Sequence, residues 1–158
     1  MNLLWARECH TMGQRTERHQ VALIVEDDIE LRGLAAALLE ETDLQVVEVS
    51  SGEEALHYLH HPAGEVVFIF SEVKLPCLMD GLDLARMVRL KWPWIRTVLT
   101  SDAPPADDLG KALRQVRFMP KPWLTLDVLL EAETAAQASL SERPTPYGHR
   151  GTLAMARV

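Results

Sequence analysis

Cysteines, long apolar runs and excess basic charge are all scarce in this chain of 158 residues. The two cysteines, Cys9 and Cys77, are too few and too far apart for a disulfide framework or a metal-binding motif. The longest apolar run, residues 34–39, is much shorter than the roughly 18 residues that a membrane span needs. The N-terminal residues also lack the apolar core of a secretory signal. We therefore expect a cytoplasmic protein.

The acidic charge of the chain is concentrated in its middle. Residues 20–140 carry 20 Asp and Glu against 10 Lys and Arg, whereas the two ends are weakly basic and lack periodicity. Sequence-independent binding to DNA needs a basic surface, so we expect no direct contact with nucleic acid, and none with a membrane. We predict one domain at 20–140, an N-terminal tail at 1–19 and a C-terminal tail at 141–158.

Short apolar segments alternate with amphipathic segments along the predicted domain. Strands are predicted at residues 21–25, 44–49, 66–70, 95–100 and 116–119, and helices at 31–41, 51–60, 81–90, 107–114 and 124–138. Continuous apolar strands separated by helices are typical of a parallel sheet that is covered on both faces. We therefore predict a three-layer, doubly wound α/β domain with five parallel strands. In such sheets the binding site lies at the carboxyl ends of the strands.

Polar side chains follow four of the predicted strands at that edge. They are Glu26 and Asp27 after the first strand, Glu72 after the third, Thr100 at the end of the fourth and Lys121 after the fifth. Carboxylates bind Mg²⁺ through oxygen, and a hydroxyl and an ammonium bind phosphoryl oxygens, so the set favours a phosphoryl site. The alternative is that the acidic residues only stabilise the start of the first helix. That would explain residues 26–28 but neither Thr100 nor Lys121.

Four segments of the chain resemble the receiver domains of two-component response regulators, of which the bacterial chemotaxis receiver is the familiar member. They are Leu-Ile-Val-Glu-Asp-Asp at 23–28, Val-Lys-Leu-Pro-Cys-Leu-Met-Asp-Gly at 73–81, Val-Leu-Thr-Ser at 98–101 and Phe-Met-Pro-Lys-Pro at 118–122. Their order and spacing cover about residues 20–140. The resemblance implies a flavodoxin-like receiver fold with strand order 2-1-3-4-5, and a module of phosphorelay signal transduction rather than an enzyme.

The resemblance also implies roles for individual residues. Glu26 and Asp27 match the acidic pair that holds Mg²⁺, and Lys74 would add its backbone carbonyl to the metal. Thr100 matches the switch hydroxyl, and Phe118 matches the switch aromatic. Lys121 matches the lysine of the phosphoryl site. A cis peptide bond is implied between Lys121 and Pro122.

The phosphoacceptor position departs from the pattern, because Glu72 stands where the receivers carry aspartate. The extra methylene moves the carboxylate by about 1.5 Å, and a misplacement of that size slows an in-line transfer strongly. Three interpretations stay open. In the first, the chain works without phosphorylation because Glu72 reaches Lys121 and imitates the activated state. In the second, it accepts phosphate slowly on Glu72. In the third, it has lost switching and only docks to partners.

The function predicted from these residues is that of a stand-alone receiver that acts through protein contacts, since too few residues follow the last predicted helix for a DNA-binding unit. The implied partners are a sensor histidine kinase, a phosphotransfer protein or another regulatory protein, and a homodimer stays open. The rival from another class is a small Mg²⁺-dependent phosphatase-like enzyme. Such an enzyme needs an aspartate two residues after its nucleophile, and here that residue is Lys74. A dinucleotide-binding domain is disfavoured because no glycine-rich motif follows the first strand.

Overall fold

The computed structural model of the chain describes residues 19–61, 65–103, 113 and 116–142. Its strands are β1 (Gln20–Val25), β2 (Gln45–Val49), β3 (Glu65–Glu72), β4 (Arg96–Ser101) and β5 (Arg117–Pro120). Its helices are α1 (Ile29–Leu39), α2 (Gly52–Leu59), α3 (Gly81–Lys91) and α4 (Thr125–Glu142). In this described part of the chain, no helix has both the length and the hydropathy that a membrane span requires.

The five strands form one parallel sheet in the order β2-β1-β3-β4-β5, which confirms the predicted fold. Strands β1 and β3 lie inside the sheet, and their continuous apolar runs are buried on both faces. Strand β2 lies at one edge, where its exposed and half-buried residues fit a strand with only one neighbour. A continuous apolar run therefore indicates an internal strand of the sheet, and a mixed run indicates an edge strand.

Helices cover both faces of this sheet. On one face, α1 and α4 pack against a cluster that contains Phe68, Phe70 and Val98. On the other face, α2 and α3 pack against Leu23 and Ile69. Successive residues of a strand point to opposite faces, so β3 contributes to both clusters at once. The predicted three layers are confirmed.

Polar residues cap three of the helices at their amino ends, two of them within three residues of the end of a strand. Asp28 accepts hydrogen bonds from the backbone N–H groups of Glu30 and Leu31 at the start of α1. Ser51 caps α2, and Asp80 begins α3 with a reciprocal capping box. Asp28 is therefore a structural cap, which leaves Glu26 and Asp27 as the acidic residues after β1 that are available to a site.

Some predictions fall on residues that the structure does not describe. The helix predicted at 107–114 lies outside the described residues except for Leu113, which is buried. The predicted tails at 1–19 and 141–158 also lie almost wholly outside them, so the domain boundaries stay predictions. The last helix runs to Glu142, a little beyond its predicted end.

Candidate functional site

Glu72 ends β3 and is the buried centre of the site. It pairs in register with Thr100 of β4, and only 6% of its surface is exposed. Its Oε1 accepts a hydrogen bond of 3.1 Å from the backbone N–H of Lys74, and its Oε2 forms an ion pair with Lys121 Nζ. No further donor reaches Oε2 within the described part of the chain. Both carboxylate oxygens are therefore engaged by positively polarised groups of the protein itself.

Glu26, directly after β1, is the second buried carboxylate. Only 3% of its surface is exposed, and its Oε1 lies 3.6 Å from Lys121 Nζ. Its Oε2 is buried and has no hydrogen-bond partner among the described residues. The backbone carbonyl of Glu26 accepts a hydrogen bond from the Arg32 side chain, which holds the end of β1 against α1. A single ammonium group thus serves two buried carboxylates.

This charge balance changes the acidity of the groups. Burial raises the pKa of Glu26 from 4.5 to about 7, the ammonium of Lys121 opposes that shift, and the charges of Glu72 and Asp27 add to it. For Lys121, burial by itself would lower the pKa, but the contact with Glu72 and the charges of both glutamates outweigh it and raise the pKa. Lys121 therefore stays charged at neutral pH, while Glu26 is close to its midpoint of titration.

Thr100 is buried, and its hydroxyl oxygen is held by a group that the sequence does not single out. The indole Nε1 of Trp123 donates a hydrogen bond of 2.6 Å to Thr100 Oγ1. The indole ring packs edge-on against Phe70, with 4.9 Å between the ring centroids. The one sequence signal for this contact is the position of the tryptophan, two residues after Lys121.

The other predicted site residues lie at the margin of this centre. Asp27 is exposed, and Phe118 is half-buried against Leu99 and Leu113 rather than against the carboxylates. Lys74 has an exposed side chain and contributes its backbone N–H to Glu72. The structure therefore brings together Glu26, Glu72 and Lys121 and places Thr100 beside them in the sheet register.

Two features fix the loops around the site. A Cβ atom at Gly81 would lie 2.1 Å from the backbone oxygen of Glu72, so the start of α3 can approach β3 only with glycine there. Glu53 Oε1 accepts hydrogen bonds from the backbone N–H groups of Leu78 and Met79 and holds the loop after β3. The peptide bond Lys121-Pro122 is cis, as the resemblance implies.

The described side chains do not fit a divalent metal ion in their present arrangement. Glu26 Oε2 is free to bind a cation, but both oxygens of Glu72 are engaged and Asp27 is exposed. Across the described ranges, no group of three or more His, Cys, Asp or Glu side chains comes together as a metal site would require. Lys121 is the cation that the two buried glutamates share, and Mg²⁺ stays a prediction.

The donors around Glu72 are those that an anionic group needs. An ammonium and a backbone N–H bind the oxygens of a carboxylate or a phosphoryl group by the same charge-assisted hydrogen bonds. The geometry therefore suits either an acylphosphate at this position or a carboxylate that occupies part of its place.

Comparisons with known proteins agree with this geometry. A family model described as "Response regulator receiver domain" matches residues 22–132. The chain is similar to a signal receiver domain of an HD domain-containing protein from Pseudomonas fluorescens Pf-5, at 25% identity and a TM-score of 0.69 over 80% of this chain and 93% of the other. It is also similar to the chemotaxis response regulator CheY4 of Vibrio cholerae, at 21% identity and a TM-score of 0.62 over 74% of this chain and 98% of the other. No curated protein matches the sequence.

Proposed function

The chain belongs to the response regulator receiver family, and from that premise we propose that it signals without needing a phosphoryl group. Glu72 takes the place of the acceptor aspartate and holds the pocket in a state that resembles the phosphorylated one. Receiver domains are generally signalling modules rather than enzymes, and they interact with histidine kinases or phosphotransfer proteins. The output of this chain is then the binding of such a protein or of another regulatory protein.

One observation carries the proposal, namely the capture of the Glu72 carboxylate by Lys121 and by the backbone N–H of Lys74. Glutamate is longer than aspartate by one carbon–carbon bond, about 1.5 Å, so its carboxylate extends into the space that a phosphoryl group on aspartate would fill. The carboxylate supplies the negative charge that Lys121 would otherwise find on a phosphoryl group. The contact supports imitation of the phosphorylated state rather than an empty acceptor position.

The imitation is partial because Thr100 does not take part in it. The Thr100 hydroxyl oxygen accepts the indole N–H of Trp123, and within the described residues the hydroxyl donates to neither oxygen of Glu72. A phosphoryl group offers three oxygens and a carboxylate offers only two, and both oxygens of Glu72 are already engaged. We therefore propose that the pocket is fixed in an intermediate, constitutively competent state.

Slow phosphorylation on Glu72 with Mg²⁺ is the second candidate. Receiver domains typically bind Mg²⁺ at the phosphorylation site, but the described side chains would have to rearrange to form such a site, with Glu26 Oε2 as the oxygen that already lacks a partner among them. Attack on phosphorus, however, requires that a Glu72 oxygen leaves its partner first, and a misplaced acceptor loses about 10²-fold in rate. A phosphatase-like reaction is less supported still, because Lys74 stands where the second acid would be needed.

Phosphoryl uptake from a small donor tests the proposal. The full-length protein and its Glu72→Asp variant are incubated with phosphoramidate and Mg²⁺, and intact mass is measured over time. We expect the aspartate variant to gain one phosphoryl group and the wild-type chain to gain none, or to gain it at least about 10²-fold more slowly. Equal rates would overturn the proposal. Failure of both proteins would count against a phosphoryl pocket altogether.

A further inference from the structure

The hydrogen bond between Trp123 and Thr100 fixes the role of each partner. An indole N–H is a donor only, so the Thr100 hydroxyl oxygen is the acceptor in this bond and its own proton remains available to another group. The indole is held in turn by its edge-on contact with Phe70, which is buried in the core. The direction from which the hydrogen bond reaches Thr100 is therefore set by the core.

Trp123 belongs to the short segment that also carries Lys121, and this segment contacts three strand ends. The backbone N–H of Lys121 donates to the carbonyl of Ser101 at the end of β4, at 3.3 Å. Its ammonium lies against the glutamates that end β3 and follow β1. Two residues later, the indole reaches Thr100. Only one residue separates Lys121 from Trp123, so a shift of the backbone at Lys121 also displaces the backbone that carries the indole.

Glu72 and Thr100 also lie on the same face of the sheet. They are register partners in β3 and β4, and partners in a parallel pair direct their side chains to the same side. Phe70, two residues before Glu72, lies on that face too and is the residue on which the indole packs. The acidic pocket and the bond to Thr100 thus share one face and one connecting segment.

We propose that Trp123 is a positioning residue: its indole N–H sets the Thr100 hydroxyl, and the segment from Lys121 to Trp123 couples that hydroxyl to the Glu72–Lys121 contact. When Lys121 leaves Glu72, the indole shifts and its bond to Thr100 weakens. When the ion pair is made, the bond is held. The relevance of this coupling to signalling rests on the proposed function, but the coupling itself does not.

The indole N–H signals in ¹H–¹⁵N spectra of the full-length protein measure the coupling directly. Trp123→Phe keeps a ring against Phe70 and identifies the Trp123 signal by its loss. Thr100→Val removes the acceptor, and we expect the Trp123 proton to shift upfield and to exchange with solvent about fivefold faster or more. Thr100→Ser, which keeps a hydroxyl, restores the signal. The indoles of Trp92 and Trp94 are internal controls and stay unchanged.

The decisive variant is Glu72→Gln, which keeps the shape of the side chain and removes the charge that holds Lys121. We expect the Trp123 indole proton to exchange about fivefold faster in this variant. Glu72→Asp serves as a second variant and shortens the arm instead. The matched control is Glu131→Gln, which neutralises a different buried glutamate.

Three results would overturn the inference. The first is a Trp123 indole proton whose shift and exchange rate are unchanged in Thr100→Val. The second is an exchange rate unchanged in both Glu72 variants. The third is an exchange rate that rises in Glu131→Gln as much as in Glu72→Gln. The experiment uses no phosphodonor, metal or partner. Phosphorylation of wild-type Glu72 at the rate of the Glu72→Asp variant would therefore defeat the proposed function and leave this result standing. An unchanged indole signal would defeat this inference and leave the proposed function standing.

Discussion

Two buried glutamate sites at opposite edges of the sheet, one at the amino ends of its strands and one at the carboxyl ends, have opposite charge balances. At the amino ends of β4 and β5, Glu131 of α4 forms ion pairs with two arginines. Arg96 Nε lies 2.6 Å from its Oε2, and Arg117 Nε lies 3.0 Å from its Oε1. At the carboxyl ends, Glu26 and Glu72 share the single ammonium of Lys121. Among the described residues, one site has two cations for one carboxylate, and the other has one cation for two carboxylates.

The difference separates a structural contact from a functional one. Each oxygen of Glu131 has its own guanidinium, so the site joins α4 to two strands and leaves no demand for another charge. The carboxyl-end site leaves one buried oxygen of Glu26 without a hydrogen-bond partner in the described part of the chain, and burial there raises the pKa of that residue. A buried acid with a displaced pKa at the edge where α/β sheets bind ligands is typical of a working site.

Removal of the cation that Glu26 and Glu72 share should lower the free energy of unfolding more than any change at the Glu131 site. In Lys121→Met, two buried carboxylates lose their only described counter-charge, so we expect the free energy of unfolding to fall by about 4 kcal/mol near pH 8. Near pH 5 the loss should be smaller, because Glu26, whose pKa is raised to about 7, is then already protonated in the folded chain. Urea denaturation followed by circular dichroism at both pH values measures the effect. Equal losses at both would contradict the assigned charge balance.

The pH dependence of stability should show the raised pKa of Glu26 directly. The folded chain binds this proton more tightly than the unfolded chain, whose Glu26 titrates near 4.5. Stability from this group is therefore greatest below pH 4.5 and is lost as the pH rises to about 7 and beyond. The total loss is about 3 kcal/mol, since one pKa unit corresponds to about 1.4 kcal/mol.

Glu26→Gln isolates that contribution, because the amide does not titrate. We expect the unfolding free energy of the wild type, relative to this variant, to fall between about pH 5 and about pH 8 by most of that amount. Other titrating groups cancel in the difference. A constant difference across the range would show that Glu26 has an ordinary pKa in the folded protein.

Neutralisation of the Glu131 carboxylate at the amino ends of the strands should lower the free energy of unfolding by less than Lys121→Met does. In Glu131→Gln, one oxygen remains to accept from one arginine, and the other guanidinium faces an amide N–H₂. Because Arg96 and Arg117 have 35% and 66% of their side chains exposed, water can solvate the released charges. We expect the free energy of unfolding to fall by about 2 kcal/mol, measured by urea denaturation. A loss above that of Lys121→Met would reverse the comparison.

Sequence patterns were sufficient for the fold because each element is specified locally. The apolar runs of β1 and β3, the cap residues Asp28 and Ser51, and the glycine at position 81 all act within a few residues. Strand order came from the resemblance, since periodicity does not tell which strands are neighbours. The helix expected at 107–114 is untested except at Leu113.

The sequence was sufficient to predict which residues lie at the site, but not which of their atoms contact each other. Topology alone places Glu26, Glu72, Thr100 and Lys121 at one edge, because parallel strands end together. Which oxygen meets which donor depends on side-chain rotamers and on residues far apart in the chain. The bond from Trp123 to Thr100 spans 23 positions and the Arg96–Glu131 pair spans 35, and no local pattern marks either of them.

The smallest effect should come from removing one of the two cations at Glu131. Arg117→Ala deletes a guanidinium that is 66% exposed, and Arg96 remains on the other oxygen of Glu131. Exposed ion pairs contribute little, so we expect a loss of about 0.5 kcal/mol, measured by the same urea titration. Lys121→Met also removes one cation from a buried glutamate, yet its expected loss is several times larger because no other cation of the described ranges pairs with Glu26 or Glu72. If the two variants lost equal stability, burial of the carboxylate alone would set the cost, and the count of cations at each end of the sheet would not matter.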